Sequence, residues 1–585
     1  MNNEGVLTGL PSVDRPWMKY YSEEAVNVRL PQGTVYEYLY ECNCEHIEDV
    51  AINYYGDKIT YRQFFKDIDR AAAGFAEHGI ARGSIVTIVT LSCYASVVCF
   101  YALNRIGAVS NFVNVLSSKE DIRTYVRDAD SAYVICLDLF AKRGIDAVGG
   151  MNVREVIYIS LEMGMPLATK IGYRHQMRKF SHDFEQDDLA VSFDALMKEA
   201  NALDEAVIST EAGLCCLAHT GGTTGFPKSV LLNDNALNAI AAEYNASMQH
   251  ERGEVFLCTM IPYVIYGLVT NIHMPLCLGL TTVIVPKFEP EKWSIYIKKY
   301  GVNHFAAIPA YVSALIENKN VAKMDLSGLK TVALGGDGMN NTLEERINSF
   351  LAEHGCSVEM VMGYGMSEVC ASAVTRYNYA HKLGSVGIPF VKNNIMAYDN
   401  DGECECGYNQ TGEICLQAAT EMMGYKDNVE DTQKLIRIHP DGSRWIHTGD
   451  MGYIDEDGFL FLTGRMKRMI MTVIDGAVYK LFPSQVENVI STCPDVADVC
   501  VVGGIKGTNR VLRAYIVRNP HFSGSDEQLE SYLRNLCRVE LADHMQPYFY
   551  EFIDKMPLTP AGKVDYKKLS EGENEAPVHS CDVNN

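Results

Sequence analysis

The chain has 585 residues, too many for one compact core, so its length predicts two or more domains. It carries 51 Lys and Arg against 74 Asp and Glu residues, and the resulting net charge of −23 is spread along the sequence. A nucleic-acid-binding protein normally presents a basic face, so nucleic acid is excluded as a partner. The 18 cysteines form no CxxC pair, which argues against a zinc ribbon and a thioredoxin-type redox site. The first residues lack the features of a secretory signal, so we expect a cytoplasmic protein with reduced thiols.

Short β-branched runs alternate with helical periodicity through the first two-thirds of the chain. Strands are predicted at residues 84–90, 133–137, 155–159, 214–218, 281–285 and 331–334, and helices at residues 64–78 and 291–300. This alternation predicts the α/β fold class, with layered, mostly parallel sheets covered by helices. From about residue 463 the pattern changes to a smaller unit, with strands at 499–503 and 512–518 and a helix at 526–538. The polar residues 571–585 are predicted to be disordered.

Two uncharged stretches, residues 85–103 and 255–286, are long enough to cross a membrane on hydropathy alone. The first changes from the β-branched run IVTIVT to the helix-like SVVCFYAL, as a buried strand followed by a buried helix would. The second contains Pro262, Gly267 and Pro275, which interrupt a spanning helix. We therefore expect core segments and no transmembrane helix. The insert at residues 161–199 carries a basic stretch, for which a solvated surface is favoured over weak peripheral contact with anionic lipid.

The most informative segment is HTGGTTGFPKSV at residues 219–230. Its glycines permit close backbone approach, its threonines supply hydroxyl groups and its lysine supplies a cation, which together suit a polyphosphate. The residues concerned are Thr220, Gly221, Gly222, Thr223, Thr224, Gly225 and Lys228. The common P-loop is excluded, because Pro227 stands where that motif has the glycine before its lysine and removes a backbone N–H.

The segment resembles the signature loop of adenylate-forming enzymes, the superfamily that contains acyl-CoA synthetases, firefly luciferase and peptide-synthetase adenylation domains. It departs from the usual form by Ser229 at the last glycine position and by Gly221 where serine is frequent, a variant similar to that of fatty acyl-CoA synthetases. Further segments follow in the superfamily's order, from GGDG at residues 335–338 to PLTPAGK at residues 557–563. The resemblance covers roughly residues 60–565.

The resemblance implies which residues bind the nucleotide. Gly335, Gly336 and Asp337 would form a turn against the adenine base. In the segment GYGMSE at residues 363–368, Tyr364 beside Gly365 would stack on adenine, and the hydroxyl of Ser367 would reach phosphate. Asp450 would accept both ribose hydroxyls, and Arg465 would contact ribose or the α-phosphate.

The resemblance also implies the catalytic groups. Glu368 would hold Mg²⁺, with Thr223 as a second ligand. Lys228 would neutralise the departing pyrophosphate, and Lys563 would bridge the acid's carboxylate and the α-phosphate. Lys467 would be the hinge about which a small, mobile C-terminal α+β domain rotates. The implied domains are residues 1–464, which bind ATP and the acid, and residues 465–570, which form the hinge-linked lid.

The implied reaction activates a carboxylic acid with ATP and Mg²⁺ to an acyl-adenylate and then transfers the acyl group to the thiol of coenzyme A. An aliphatic or fatty acid is the expected substrate; an aryl acid, or a separate carrier protein as the acceptor, is an alternative. A non-catalytic nucleotide-binding regulator is disfavoured, because the charged groups of every implied site are retained. The acid's chain length and the oligomeric state are left open.

Two segments depart from the superfamily pattern. Residues 260–268 contain no histidine, so the acyl pocket or its gate is expected to differ. They contain no acidic residue either, which favours acids without an ammonium group, since a buried unpaired charge is costly. After the hinge, residues 470–483 are predicted to form a loop longer than the usual turn, with Gly476 as the candidate lining of the thiol tunnel.

Overall fold

The computed structural model describes residues 7–177, 183–220, 227–286, 288–289, 292–316, 321, 324–375, 381–474, 477–506, 509–558 and 564–570. Within these ranges the chain folds into layered sheets covered by helices, followed by a smaller C-terminal α+β unit, as the sequence predicts. Several predicted site residues lie outside the described residues: Gly221, Gly222, Thr223, Thr224, Gly225, Gly476 and Lys563. The tail at residues 571–585 lies outside them too.

The first sheet is mostly parallel and leads into the phosphate segment. In spatial order its strands are Gly424–Tyr425, Ser229–Asn233, Leu214–His219, Val109–Asn114, Ile85–Thr90, Tyr133–Leu137, Glu155–Ile159 and Ala190–Ser192. The strands from Leu214–His219 onward are parallel, whereas Ser229–Asn233 returns antiparallel beside Leu214–His219. The predicted phosphate segment therefore starts at the carboxyl end of a parallel strand, where ligands bind in such sheets.

The second sheet is parallel through its centre. In spatial order its strands are Ile388–Pro389, Val374–Thr375, Val361–Tyr364, Thr331–Leu334, His304–Ala307, Val255–Cys258, Thr281–Ile284, Val50–Tyr54 and Asp57–Thr60. The strands from Val361–Tyr364 to Val50–Tyr54 are parallel. Two predicted nucleotide segments follow the carboxyl ends of Thr331–Leu334 and Val361–Tyr364.

A third, antiparallel sheet and the C-terminal unit complete the strands. The third sheet has the order Cys404–Glu405, Asn394–Asp399, Gly412–Gln417, Arg444–Ile454 and Ile436–Ile438, with Leu460–Arg465 also paired to Arg444–Ile454. The C-terminal unit contains the hairpin Ile470–Ile474 with Ala477–Leu481 and the sheet Val496–Lys506, Asn509–Arg518 and Phe549–Phe552. Residues 470–483, predicted as an extended loop, are thus mostly hairpin, because their β-branched and aromatic residues favour strand pairing.

Helices alternate with the strands along the described chain, in the large part and in the C-terminal unit alike. They are Pro11–Asp14, Glu23–Val26, Val35–Asn43, Tyr61–Glu77, Tyr94–Arg105, Lys119–Asp128, Ala141–Val148, Leu167–Met177, Phe193–Glu199, Asp234–Ser247, Ile265–Leu268, Met274–Cys277, Trp293–Tyr300, Pro309–Ile316, Asn341–Glu353, Val429–Leu435, Pro483–Ile490, Asp526–Glu540 and Tyr566–Ser570. A π-helical turn, Val269–His273, lies between two of them. Among the described residues, no helix has the length and apolar character needed to cross a membrane.

The helix Tyr61–Glu77 shows how local sequence determines these elements. Its first turn is capped by Thr60, whose hydroxyl oxygen accepts the N–H of Gln63 at 3.3 Å. Phe64, Ile68 and Phe75 recur at helical spacing and are fully buried. Burying each such side chain contributes roughly 1.5–3 kcal/mol, so the packed face stabilises this helix more than its cap does.

Acid is expected to weaken the large domain through His273. This fully buried ring accepts from the Tyr101 hydroxyl at Nδ1 (3.0 Å) and donates from Nε2 to Asn238 Oδ1 (3.1 Å). Burial lowers the pKa of His273 to about 3. Below pH 6.5 the unfolded chain therefore binds a proton that the folded chain does not, and stability falls by about 2 kcal/mol between pH 7 and 5. Urea unfolding of the wild type and of His273→Gln at both pH values measures this; an equal pH dependence in the two proteins would exclude His273 as the source.

Candidate active site

The ends of the phosphate segment are held together by two hydrogen bonds. The N–H of Thr220 donates to the carbonyl oxygen of Lys228 at 3.1 Å, and the N–H of Lys228 donates to Oγ1 of Thr220 at 3.2 Å. These bonds extend the antiparallel pairing of Leu214–His219 with Ser229–Asn233. Thr220 and Lys228, the two described ends of the segment, therefore lie side by side at the end of the first sheet.

The ammonium group of Lys228 lies beside Tyr425 and Glu368. Lys228 Nζ is 4.7 Å from the centre of the Tyr425 ring, and the Tyr425 hydroxyl donates to Glu368 Oε1 at 2.6 Å. The Glu368 carboxylate is buried, whereas the Lys228 side chain is 41% exposed. Lys228 also pairs with Asp431 at 2.7 Å. Such a part-exposed ion pair contributes at most about 1 kcal/mol, so a phosphate group can replace Asp431 at little cost.

Backbone hydrogen bonds explain why these side chains meet. The N–H of Met422 donates to the carbonyl oxygen of Glu368 at 2.9 Å, and the N–H of Met423 donates to that of Leu231 at 2.9 Å. The short strand Gly424–Tyr425 then pairs with Ser229–Asn233. Residues 422–425 therefore join the loop that follows the second sheet to the edge of the first sheet. Lys228 and Glu368 come from different sheets, and Tyr425 lies between them.

A second group consists of Tyr364, Asp450 and Arg465. Tyr364 ends the strand Val361–Tyr364, and its hydroxyl donates to Asp450 Oδ2 at 2.7 Å. Arg465 Nε lies 2.9 Å from Asp450 Oδ1, because the two residues are register partners on paired strands. Burial and the Asp450 carboxylate raise the pKa of Tyr364 well above its usual value. Each oxygen of Asp450 keeps a second lone pair, so the carboxylate can still accept hydrogen bonds from a ligand's hydroxyl groups.

Glu413 supports the irregular part of the strand Arg444–Ile454 that carries Asp450. The Gly449 N–H donates to Glu413 Oε1 at 3.0 Å, and His447 Nδ1 donates to Glu413 Oε2 at 2.7 Å. Glu413 is buried, and Gly449 adopts a φ of 73°, in the region that favours glycine. The Glu413 carboxylate thus holds the backbone next to Asp450 through a charge-assisted hydrogen bond.

The loop after Tyr364 is tightly folded around Gly365. A Cβ atom on Gly365 would lie 2.0 Å from the carbonyl oxygen of Ala371. Cys370 and Ala371 both have positive φ, at 55° and 87°, a conformation that non-glycine residues adopt only when their surroundings impose it. The glycine therefore permits the close return of the chain that places Ser367 and Glu368.

Replacing Gly365 with alanine is expected to destabilise the protein by about 1–3 kcal/mol, because backbone atoms must move to admit the methyl group. The displacement also moves Ser367 and Glu368, so acid-dependent adenylation should slow. Gly338→Ala is the matched control, since a Cβ there meets nothing within 4 Å and its φ is not positive. Thermal unfolding of the two variants tests this, and equal midpoints would contradict it.

A mostly buried group of uncharged residues lies next to these groups. The Tyr266 hydroxyl would lie 3.7 Å from a Cβ on Gly335, and the Tyr244 hydroxyl lies 3.3 Å from Ser372 Oγ. Tyr266 belongs to the helix Ile265–Leu268, inside the segment that lacks histidine and acidic residues. Gly335 itself follows the strand Thr331–Leu334 and donates its N–H to the Ala307 carbonyl oxygen at 3.0 Å.

Within the C-terminal unit, Tyr566 packs against a mostly buried ion pair. Arg468 stacks on the Tyr566 ring at 3.9 Å and pairs with Glu487. The pKa of Tyr566 is raised, mainly by burial, and the exposed carboxylate of Asp337 contributes to the shift.

The structure brings together many, but not all, of the predicted site residues. Lys228 and Glu368 share a group with Tyr425, and Tyr364, Asp450 and Arg465 form the second group. Gly335, Gly336 and Asp337 follow a neighbouring strand of the second sheet, and Lys467 is exposed in the turn Met466–Arg468.

Some residues of the site were missed by sequence reasoning. Tyr425 was not among the predicted site residues, because its contacts with Lys228 and Glu368 arise only where the strand Gly424–Tyr425 pairs with Ser229–Asn233. Asp431 and Glu413 carry no sequence signal, because each contacts the site only through tertiary structure.

The chain is similar to known proteins over most of its length. The profile of the family described as AMP-binding enzyme matches residues 41–426, and that of the AMP-binding enzyme C-terminal domain matches residues 485–563. The long-chain-fatty-acid–CoA ligase of Bacillus subtilis is 27% identical over 573 residues, which cover 96% of this chain and 98% of that relative. The 4-coumarate–CoA ligase 1 of Petroselinum crispum is 25% identical over 525 residues, covering 88% of this chain and 89% of the relative.

Solved structures show the same fold. An anthranilate CoA ligase in complex with anthranoyl-AMP matches with a TM-score of 0.79 at 19% identity, covering 94% of this chain and 98% of that one. The predicted α/β fold and the resemblance to adenylate-forming enzymes are thereby confirmed. With more than half of its length matched by the family profile, the chain belongs to the AMP-binding enzyme family and is an AMP-forming acid–CoA ligase.

Proposed function

We propose that this ligase converts an aliphatic carboxylic acid, ATP and coenzyme A into an acyl-CoA thioester, AMP and pyrophosphate by way of an acyl-adenylate. The observation that carries the proposal is that Tyr425 contacts both Lys228 and Glu368. The second group, formed by Tyr364, Asp450 and Arg465, adds an acidic and a cationic side chain for the nucleotide. Cationic, acidic and hydroxyl groups from segments of three sheets thus converge where a nucleotide can bind.

In the first step a carboxylate oxygen of the acid attacks the α-phosphorus of ATP, and the bond from that phosphorus to pyrophosphate breaks. Lys228, at the base of the phosphate loop, offsets the charge of the departing pyrophosphate. Lys563 draws the acid's oxygen toward the α-phosphorus, and Asp450 holds the ribose hydroxyls. The residues act by positioning and preorganised charge, without a covalent enzyme intermediate.

The residues present fit a magnesium ion. The buried Glu368 carboxylate is the hard oxygen ligand that Mg²⁺ prefers, and the Tyr425 hydrogen bond fixes its orientation. Glu368 would hold the ion together with the phosphates of ATP, and the ion would neutralise phosphate charge there. Thr223, the other proposed ligand, lies outside the described residues.

In the second step the sulfur of coenzyme A attacks the acyl carbonyl carbon, the thiol proton is released and the bond from carbonyl carbon to AMP breaks. Lys563 has to leave the site to admit the thiol. We propose that residues 465–570 rotate as a unit about Lys467, relative to residues 1–464. The exposed position of Lys467 in the short turn between the third sheet and the C-terminal hairpin supports this boundary.

The group formed by Tyr244, Tyr266 and Gly335 is the proposed wall of the acyl pocket. It is lined by hydroxyl and apolar groups without a carboxylate, so an ammonium-bearing acid would lack a partner. The similarity to a fatty-acid ligase over nearly the whole chain favours an aliphatic tail. The tyrosine rings and the similarity to 4-coumarate–CoA ligases support an aryl acid as the second candidate.

A panel of acids tests the substrate and the acceptor together. The purified enzyme is incubated with ATP, Mg²⁺, coenzyme A and fatty acids of increasing length, with 4-coumarate and benzoate in parallel, and thioesters are measured by mass spectrometry. We expect kcat/KM to be highest for a fatty acid. Preference for an aryl acid would select the second candidate, and AMP formation without a coenzyme A thioester would point to a carrier-protein thiol.

A further inference from the structure

A compact group of metal-ligating side chains lies on the third sheet, apart from the nucleotide site. Cys415 and His447 are direct partners on the antiparallel strands Gly412–Gln417 and Arg444–Ile454, so their side chains lie on the same face. His439 stands between Ile436–Ile438 and Arg444–Ile454, and its ring stacks on Tyr398 with 4.2 Å between the ring centres. One ligand atom from each of Cys415, His439 and His447 lies within 4.8 Å of the other two.

Hydrogen bonds orient His447 as they do in metal sites. Its Nδ1 lies 2.7 Å from Glu413 Oε2, and the two side chains are only 1% and 3% exposed. Because a carboxylate accepts hydrogen bonds, Nδ1 carries the proton and Nε2 presents a lone pair. That lone pair points toward His439, whose Nε2 is 2.9 Å away. A histidine that donates to a carboxylate through one nitrogen commonly binds metal through the other.

We propose that Cys415, His439 and His447 bind Zn²⁺. One thiolate and two imidazoles are a ligand set that zinc takes in proteins, with a fourth position for water or another group. Zn–N bonds of about 2.0–2.1 Å put two ligating nitrogens roughly 3.4 Å apart on a tetrahedral ion, so the two histidine nitrogens, now 2.9 Å apart, have to separate by about 0.5 Å. Binding releases the Cys415 thiol proton, and His439 takes its Nδ1–H tautomer.

The surroundings of the site suit a bound cation. Met396, Tyr398 and Trp445 pack with Cys415 in a buried cluster, which excludes water from the sulfur. Cys415 and His447 are buried, whereas His439 is only half-buried, so the ion can enter from the side of His439.

Glu413 connects the zinc site to the nucleotide site. Its Oε2 accepts from His447, and its Oε1 accepts from the Gly449 N–H, immediately before Asp450. A bound ion would fix the orientation of the His447 ring and, through it, that of the Glu413 carboxylate. Glu413 would then hold the strand segment that carries Asp450 more firmly in place. This connection rests on the proposed role of Asp450 toward ribose, whereas the binding of zinc does not.

Cobalt(II) provides a test that is independent of catalysis. The purified full chain is freed of metal with a chelator and titrated with Co²⁺. We expect stoichiometric binding with a thiolate-to-cobalt charge-transfer band, which Zn²⁺ abolishes by displacement. The band should be lost in Cys415→Ser and weakened in His439→Gln, but retained in Cys404→Ser, an exposed cysteine on an edge strand of the same sheet.

Two further measurements compare thermal stability and the KM for ATP with and without Zn²⁺. Zn²⁺ should raise the midpoint of thermal unfolding of the wild type but not of His439→Gln, whose half-buried position in a hairpin lets the variant fold. Zn²⁺ should also lower the KM for ATP. A wild-type protein without the cobalt band would overturn the site, as would a band that persists in both ligand variants or disappears only in Cys404→Ser. A KM that zinc leaves unchanged would overturn the connection to Asp450.

Discussion

Replacing Lys563 with alanine is expected to slow acyl-adenylate formation by about 100- to 1000-fold, while thioester formation from a supplied acyl-adenylate is spared. The lysine's charge is needed while the acid's oxygen approaches the α-phosphorus, and in the second step the lysine is withdrawn. The ends of its segment are anchored independently of the side chain: Leu558 and Val564 pair as a β-bridge, and the Asp565 N–H donates to the Pro557 carbonyl oxygen at 2.8 Å.

The two half-reactions are measured separately. Pyrophosphate exchange into ATP reports the first, and release of AMP from a synthetic acyl-adenylate with coenzyme A reports the second. Lys567→Ala, an exposed lysine on the helix Tyr566–Ser570, is the matched control and should retain both rates. If Lys563→Ala lost both half-reactions equally, rotation of the C-terminal unit would be excluded.

Replacing Glu368 with glutamine should slow adenylation by about 100- to 1000-fold. The amide oxygen still accepts the Tyr425 hydrogen bond and fills the same buried space, so the change removes mainly the negative charge that would hold Mg²⁺. The decrease should appear in kcat for pyrophosphate exchange, and additional Mg²⁺ should restore only part of it.

Two further variants test whether the loss of rate comes from the Glu368 charge rather than from its orientation or from the loss of any nearby carboxylate. Tyr425→Phe removes the hydrogen bond to Glu368 but keeps the ring beside Lys228, so we expect a loss of about 1 kcal/mol, or roughly fivefold in rate. Glu430→Gln changes an exposed carboxylate on the helix Val429–Leu435 and should leave the rate unchanged. A wild-type rate for Glu368→Gln at ordinary Mg²⁺ concentration would contradict the proposed role of Glu368.

Much of the fold could be predicted because its elements are determined locally. The strands Tyr133–Leu137, Glu155–Ile159 and Thr331–Leu334 have the predicted bounds, since each is a short apolar run rich in β-branched residues. The uncharged residues 85–103 divide into the strand Ile85–Thr90 and the helix Tyr94–Arg105, as the change in their pattern indicates. The positions of Lys228, Tyr364 and Glu368 at strand ends follow from the same alternation.

Tertiary contacts account for what the sequence did not predict. Tyr425 contacts Lys228 and Glu368 only because residues 422–425 cross from one sheet to the other. Glu413 lies on the strand Gly412–Gln417, which contains no recognisable motif, and its carboxylate holds the backbone next to Asp450. The hairpin at Ile470–Leu481 was predicted as a loop because the segment is longer than the superfamily's usual turn after the hinge. Its β-branched residues already favoured strands.

Pyrophosphate exchange tests the central claim most directly. The purified enzyme receives ATP, Mg²⁺, labelled pyrophosphate and a pool of carboxylic acids, without coenzyme A. The proposed chemistry predicts that label enters ATP only when a suitable acid is present, and that AMP accumulates once coenzyme A is added. Label entering ATP equally well without any acid, or no exchange and no AMP with any acid of the pool, would contradict it.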